Sequence, residues 1–363
     1  MVRIHGSAAL ERPEFNPDML RVARGALGET QGKLAEALGV TQGQVSRWED
    51  GLRVPSAQEV EKLAQHLQFP VAFFFQADVL YGFGTCCMYH RKRQSLPIGT
   101  LNMIHDRINI MRMGIGRLLK NSQAILPEQF VRMDRDDYES PAKIAALLRA
   151  TWQMPHGPVK CLVEWVERAG GIVVPFRFGT KKLDAVSQWP RGMPPLFFVN
   201  TESPADRWRF SLAHEVGHIV MHATPSPDAE TEADEFASEF LMPEREVRAD
   251  LHEITVAKGL RLKHKWRVSM QALIRRAKDL GVITQSKYTS LFAYLSKLGY
   301  RTREPADIAP EEPTTLSALL NHHTAALGYS RTELAEMTFC SVQRFQSFYL
   351  NEHESSGPFR IVE

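Results

Sequence analysis

From residue 16 to residue 75, apolar side chains recur three or four positions apart: Leu20, Val22, Leu27, Leu34, Ala35, Leu38, Val45, Trp48, Val60, Leu63, Ala64 and Leu67. Gly39, Gly51 and Pro55 punctuate the pattern where turns are needed. This stretch therefore reads as a compact helical unit. Residues 76–139 read as a helical connecting arm, with a helix over 99–120 and a basic cluster at His90, Arg91, Lys92 and Arg93. A third region, 140–300, opens on Ser140-Pro141, a good cap and first turn. It continues with a helix over 159–169 that Gly170-Gly171 ends. Ile172-Val173-Val174-Pro175-Phe176 and the run from Pro195 to Asn200 then read as strands. Further helices are expected at 204–222, 230–241, 244–252, 269–280 and 284–298. A polar, proline-rich linker at 302–313 precedes a helical tail at 314–350. The pattern as a whole is α+β, mainly α.

Length and composition narrow the class. With 363 residues, the chain is long enough for two or three domains. Hydrophobic residues at 44% and charged residues at 24% fit packed globular domains rather than a disordered chain. A net charge of +2 means that any nucleic-acid contact depends on a local patch and not on a global field. The four cysteines, Cys86, Cys87, Cys161 and Cys340, lack metal-ligand spacing, which fits a reducing cytosol. Apolar runs such as Val71 to Phe75 are far too short to span a bilayer, so a cytoplasmic protein without a membrane partner is expected.

Within the first unit, Gly39 permits a sharp turn between two helices that Leu34, Ala35, Leu38, Val45 and Trp48 hold at a fixed angle. Thr41 can cap the second helix, whose outer face offers Gln42, Gln44, Ser46 and Arg47. Glutamine pairs with adenine and arginine with guanine in the major groove, and Gln31 at the start of the first helix is placed to meet a phosphate. Residues 18–72, with the run Arg47-Trp48-Glu49-Asp50-Gly51, resemble the phage-repressor-like (XRE, Cro/CI) helix-turn-helix family. That resemblance implies a five-helix DNA-binding domain, a double-stranded DNA operator as partner and a homodimer on two half-sites. Gly43 departs from the family, which usually carries a base-reading side chain there.

The third region carries His214-Glu215-Val216-Gly217-His218. Two histidines four apart on a helix project from one face and can share a metal, and the glutamate between them can act as a general base. Zinc needs a third protein ligand, and acidic residues crowd the next helix at Glu230, Glu232, Asp234 and Glu235. His222 would lie about 12 Å along a straight helix from His214, beyond reach of one ion, which leaves it a supporting or packing role. Arg209 to His218, Glu232 to Ala237, Leu241-Met242-Pro243, Asn200 and Pro204 to Arg207 together resemble the ImmA/IrrE family of metallopeptidases over about residues 140–300. The resemblance implies a gluzincin-like fold with a small sheet, Zn2+ as cofactor, and Glu232 as the third ligand, with Glu235 as second choice.

Taken together, these residues lead to an expected regulator whose zinc endopeptidase domain cleaves a repressor protein or its own chain on a signal. The alternatives are a non-proteolytic metal sensor or dimerisation domain, and a peptidase that uses its helix-turn-helix only to dock on a protein. The strand at 195–199 is either an edge for substrate pairing or plain core, and His222 and Tyr288 are the residues considered as oxyanion donors. In the tail, Leu334, Ala335 and Glu336 followed by Ser341, Phe345 and Phe348 echo Leu34, Ala35, Glu36, Thr41, Val45 and Trp48 at an offset of 300 residues. A second helix-turn-helix-like pair is expected there, in a packing or dimerising role rather than a base-reading one.

Overall fold

In a computed structural model of the chain, residues 14–82, 96–122, 127–224 and 226–350 are described. The basic cluster His90 to Arg93, and with it Cys86 and Cys87, lies outside the described residues. The chain divides into two compact units. The first takes the described residues of Met1–Leu80, Ile98–Asn121 and His323–Arg360, and the second is built mainly from Ser122–His322.

The first unit begins with α1 (Pro17–Ala26), α2 (Gln31–Leu38), α3 (Gln42–Glu49) and α4 (Ala57–Leu67), followed by a 3-10 helix at Val71–Phe75. Each α-helix starts on a side chain able to accept from its first-turn amides: Asn16, Thr30, Thr41 and Ser56. Gly39, at φ 70°, closes α2 in the left-handed region and turns the chain into α3. Leu34, Val45, Trp48 and Leu63 are fully buried between these helices. α5 (Ile98–Ser122) adds the long helix of the unit, and Arg107 on it donates to the carbonyl of Ala26 at the end of α1 (2.8 Å). The arm expected over 76–139 is thus divided, because α5 is apolar enough to join the first unit's core through Ile104, Ile108, Met111 and Ile115.

The second unit starts from α6 (Pro141–Thr151) and α7 (Leu162–Arg168), then the strands β1 (Ile172–Phe176), β2 (Ala185–Gln188) and β3 (Leu196–Asn200). Gly170, at φ 96°, sits between α7 and β1, where a Cβ would fall 1.6 Å from the carbonyl oxygen of Pro127. The sheet order is β1-β3-β2, with β1 parallel and β2 antiparallel to β3. β3 therefore has a strand on each side and no edge left to pair with a substrate. Its side chains are all buried, so it is core. α8 (Ala205–Met221) lies against β2 and β3, and α9 (Ala229–Leu241) packs along α8. α10 (Glu244–Leu251), α11 (Val256–Trp266), α12 (Met270–Asp279) and α13 (Gln285–Lys297) complete the body.

Residues 302–313 are fastened to that body rather than acting as a plain linker. Glu304 accepts from the amides of Met270 (2.8 Å) and Gln271 (3.1 Å) at the start of α12 and from Lys263 (3.0 Å). Glu311 accepts from the Val163 amide at the start of α7 (2.8 Å) and pairs with the buried Arg209 of α8. Carboxylates at helix N-termini satisfy amides that have no partner inside the helix. A segment that reads as polar is held to the body at two points for that reason, although Glu311 is its one buried residue.

Beyond α14 (Thr315–Asn321) and a π turn at His322–Ala326, the tail forms α15 (Arg331–Met337) and α16 (Val342–Tyr349). Ser330 and Ser341 cap these helices as Thr30 and Thr41 cap α2 and α3. Phe339 (φ 52°) takes the left-handed turn position of Gly39. The Cys340 amide donates to Ala335 (2.9 Å) as the Val40 amide does to Ala35 (3.0 Å).

Candidate metal centre and nucleic-acid interface

α8 places His214 and His218 one turn apart, with their Nε2 atoms 2.9 Å from each other. The carboxylate that meets both of these nitrogens is Glu230 of α9, whose Oε1 lies 3.2 Å from His218 Nε2 and whose Oε2 lies 3.7 Å from His214 Nε2. One donor atom from each of His214, His218 and Glu230 falls within 4.8 Å of the other two, and all three residues are buried. Two imidazole nitrogens and one carboxylate oxygen converging in a buried place form a donor set that suits a borderline divalent cation such as zinc.

The approach of the two helices has a local cause. A Cβ on Gly217 would sit 2.9 Å from the ring of Phe236, so glycine at that point lets α9 come close enough to deliver Glu230. On the far side, His214 Nδ1 lies 3.0 Å from Asp234 Oδ1. Glu215 is 1% exposed, and the Ser187 hydroxyl on β2 donates to its Oε2 (2.6 Å). Burial pushes the pKa of His218 below the ordinary imidazole value, and burial followed by the proximity of His218 does the same to His222. Neutral imidazoles are the form that ligates metal.

Glu232, expected as the third ligand, is turned elsewhere. Its Oε2 lies 3.0 Å from His222 Nε2 and its Oε1 2.9 Å from Arg135 Nε. Glu235 accepts instead from the Ala142 amide at the start of α6 (3.4 Å). The misplacement has a geometric reason: along α9 the buried face runs Glu230, Ala233, Phe236, Ala237 and Phe240, and Glu232 is about 200° of helix rotation from Glu230. That apolar stripe, read backwards by one turn, is the sequence signal that points to Glu230. His222 stands outside the group of three, its ring nitrogens 2.9 Å from His218 Nδ1 and 3.0 Å from Glu232. Tyr288 packs against Phe292 on α13, and Lys278 lies over its ring.

On α3, Gln42 and Arg47 are exposed, and Arg47 Nε donates back to the Gly43 carbonyl (3.0 Å). Gln44 is engaged with Thr41 in a capping box, and Ser46 donates to Asp50 (3.0 Å). Gln31 is half-buried and donates to Glu49 (2.8 Å), which also takes Arg24 through both carboxylate oxygens at 2.6 and 2.9 Å. Gln31 thus helps to tie α1, α2 and α3 together.

Comparison with known proteins adds to this geometry. Residues 166–278, which include His214, Glu215, His218 and Glu230, match a peptidase family model described as the IrrE N-terminal-like domain. Residues 18–72 match a model described as a helix-turn-helix domain. The chain thus has one stretch similar to a helix-turn-helix domain and another similar to an IrrE N-terminal-like domain. Two curated relatives, an uncharacterized HTH-type transcriptional regulator from Sinorhizobium medicae (strain WSM419) and another from Rhizobium meliloti (strain 1021), are each 38% identical over 66 residues. That stretch is 18% of this chain and 48% of each relative, so the chain spans about half the length of the curated relatives it matches. No solved structure matches the chain. Among the described residues, no helix is long and apolar enough to cross a membrane.

Proposed function

We propose that the protein is a cytoplasmic DNA-binding transcriptional regulator whose IrrE-like domain is a zinc-dependent endopeptidase acting on a repressor protein or on its own chain. The convergence of His214, His218 and Glu230 beside the held carboxylate of Glu215 carries this reading. Zinc bound there would act as a Lewis acid and lower the pKa of a coordinated water toward neutrality. His214, His218 and Glu230 would hold the ion. Glu215 takes a proton from the attacking water through its carboxylate and later returns it to the leaving amine. Ser187 orients Glu215 for both transfers through its hydroxyl.

On the first unit, Gln42 and Arg47 of α3 read base edges in the major groove, while Gln44 and Ser46 contribute as their capping and helix contacts allow. A homodimer on two half-sites is the matching assembly. The near-complete burial of Glu215 supports a second reading, in which the metal domain senses a signal without proteolysis.

Metal analysis of the purified chain and its Glu230→Gln variant tests the site. Zinc at one equivalent, reduced at least tenfold in the variant, is expected, and a metal-free wild-type chain refutes the reading. Glu215→Gln separates the two functions: retained metal with lost regulation in cells supports peptidase action, while unchanged regulation favours the sensor. Arg47→Ala is expected to weaken operator binding by about 1–3 kcal/mol in a mobility-shift titration at fixed salt.

A further inference from the structure

We infer that His222, Glu232 and Arg135 form a positioning chain behind His218 that keeps its Nε2 bare and aimed at a divalent cation. This inference rests on the metal reading above. His222 is the residue at which α8 ends, and its backbone (φ −108°, ψ 87°) leaves the helix. Its ring lies beside that of His218, with centroids 5.0 Å apart and planes inclined by 55°. The two Nδ1 atoms are 2.9 Å apart, so one of them carries the proton and the other accepts it.

Glu232 decides which. Its carboxylate lies 3.0 Å from His222 Nε2 and can only accept, so the proton of a neutral His222 sits on Nε2. His222 Nδ1 is then the acceptor, and His218 Nδ1 must be the donor. A neutral His218 with its proton on Nδ1 has a free lone pair on Nε2, the nitrogen that faces His214 and Glu230. Arg135 meets the other oxygen of Glu232 at 2.9 Å and anchors the far end of the chain. The 3-10 turn that carries Arg135 is itself held near the end of α8, where the Met133 amide donates to the Val220 carbonyl (2.9 Å).

His214 reaches the same state by a shorter route, because its Nδ1 lies directly on Asp234 at 3.0 Å. The two imidazoles are therefore oriented by carboxylates of one helix, α9, which also supplies Glu230. Asp234 acts on His214 directly, whereas Glu232 acts on His218 through the ring of His222. Outer-shell partners of metal-bound histidines typically alter metal affinity 10- to 100-fold when removed.

The test uses the full chain and two readouts, the Zn2+ dissociation constant from competition with a chromophoric chelator and the visible spectrum of the Co2+ form. His222→Leu removes the acceptor for His218 and is expected to weaken Zn2+ binding about 10- to 100-fold and to alter the Co2+ bands. His222→Asn keeps a carbonyl oxygen where Nδ1 stands and is expected to stay within a few-fold of wild type with the wild-type Co2+ bands. It also serves if the leucine variant does not fold. Wild-type affinity and spectrum in His222→Leu, or equal losses in the folded leucine and asparagine variants, overturn the positioning chain and leave the metal site standing. Failure of the wild-type chain to bind Zn2+ or Co2+ overturns the metal reading itself.

Discussion

Replacing Glu311 by alanine should unfold the second unit far more easily than its position in a polar, proline-rich stretch suggests. Arg209, 1% exposed, pairs with Glu311 inside the fold, and burial pushes the pKa of its guanidinium down to about 9. Glu311 also accepts the Val163 amide at 2.8 Å. Truncation leaves a buried cation without its counter-ion, which costs about 3–5 kcal/mol, and an orphaned amide, which costs about 1–3 kcal/mol more. A loss of roughly 4–8 kcal/mol is a large share of the 5–15 kcal/mol that typically holds a domain together. The double variant Arg209→Met/Glu311→Leu removes both charges and should recover all but about 1–3 kcal/mol, the part owed to Val163. Urea unfolding followed by tryptophan fluorescence measures this, since five of the six tryptophans (Trp152, Trp165, Trp189, Trp208 and Trp266) belong to the second unit. A Glu311→Ala loss below about 1 kcal/mol, or a double variant no better than the single, would refute the reasoning.

Three further outcomes are expected. Burial raises the Asp106 carboxyl to about 7 from an ordinary 3.8, so the unfolded chain ionises first and the first unit loses stability as pH rises from about 4 through 7. Asp106→Asn should remove that slope and stabilise the unit by about 1–3 kcal/mol at pH 8, measured as pH-dependent denaturation midpoints. Gly217→Ala should destabilise by about 1–3 kcal/mol despite the better helix propensity of alanine, because its Cβ meets Phe236 at 2.9 Å. A stabilised melt would show that α8 and α9 can part without cost. Because the pKa values of His218 and His222 lie below the ordinary imidazole value in the fold, the unfolded chain binds more protons near pH 6. The metal-free second unit should therefore lose stability as pH falls below about 6.5, and a flat profile between pH 7 and 5 in chelator would contradict that.

The histidine pair was legible because spacing alone settles it: residues four apart on a helix share a face whatever surrounds them. The carboxylate that converges with them was not, because Glu230 and Glu232 belong to one acidic cluster, and only the direction in which Phe236 and Ala237 face separates them. β2 escaped notice for a related reason. Its last two residues, Ser187 and Gln188, are polar yet buried, and Ser187 is there to hold Glu215 rather than to fill space. α11 hides behind a lysine: Lys263 is 2% exposed and sits between Asp206 (2.6 Å) and Glu304 (3.0 Å), so a buried face reads as a charged one. For β2 and α11 the sequence pattern failed where burial was compensated by a specific polar partner, which period counting does not register.

The two helix pairs of the first unit carry this argument to its end. Caps, left-handed turn and turn hydrogen bonds recur at an offset of 300 residues, so the backbone module is present twice. Its surface is not. Gln44 on α3 is replaced at the equivalent position of α16 by Arg344, which is buried, donates to the carbonyls of Leu67 and Gln68 at 3.2 Å each, and lies 3.7 Å over the ring of Phe69. A guanidinium laid on the carbonyls at the end of α4 is favourably placed for the helix dipole and is spent on packing. The exposed arginine of α3, Arg47, is aligned instead with Ser347. The cap and turn residues that build the module leave its outer face open to change, so the same pair of helices can present exposed polar side chains such as Gln42 and Arg47 at one end of the chain and pack on its own neighbours at the other.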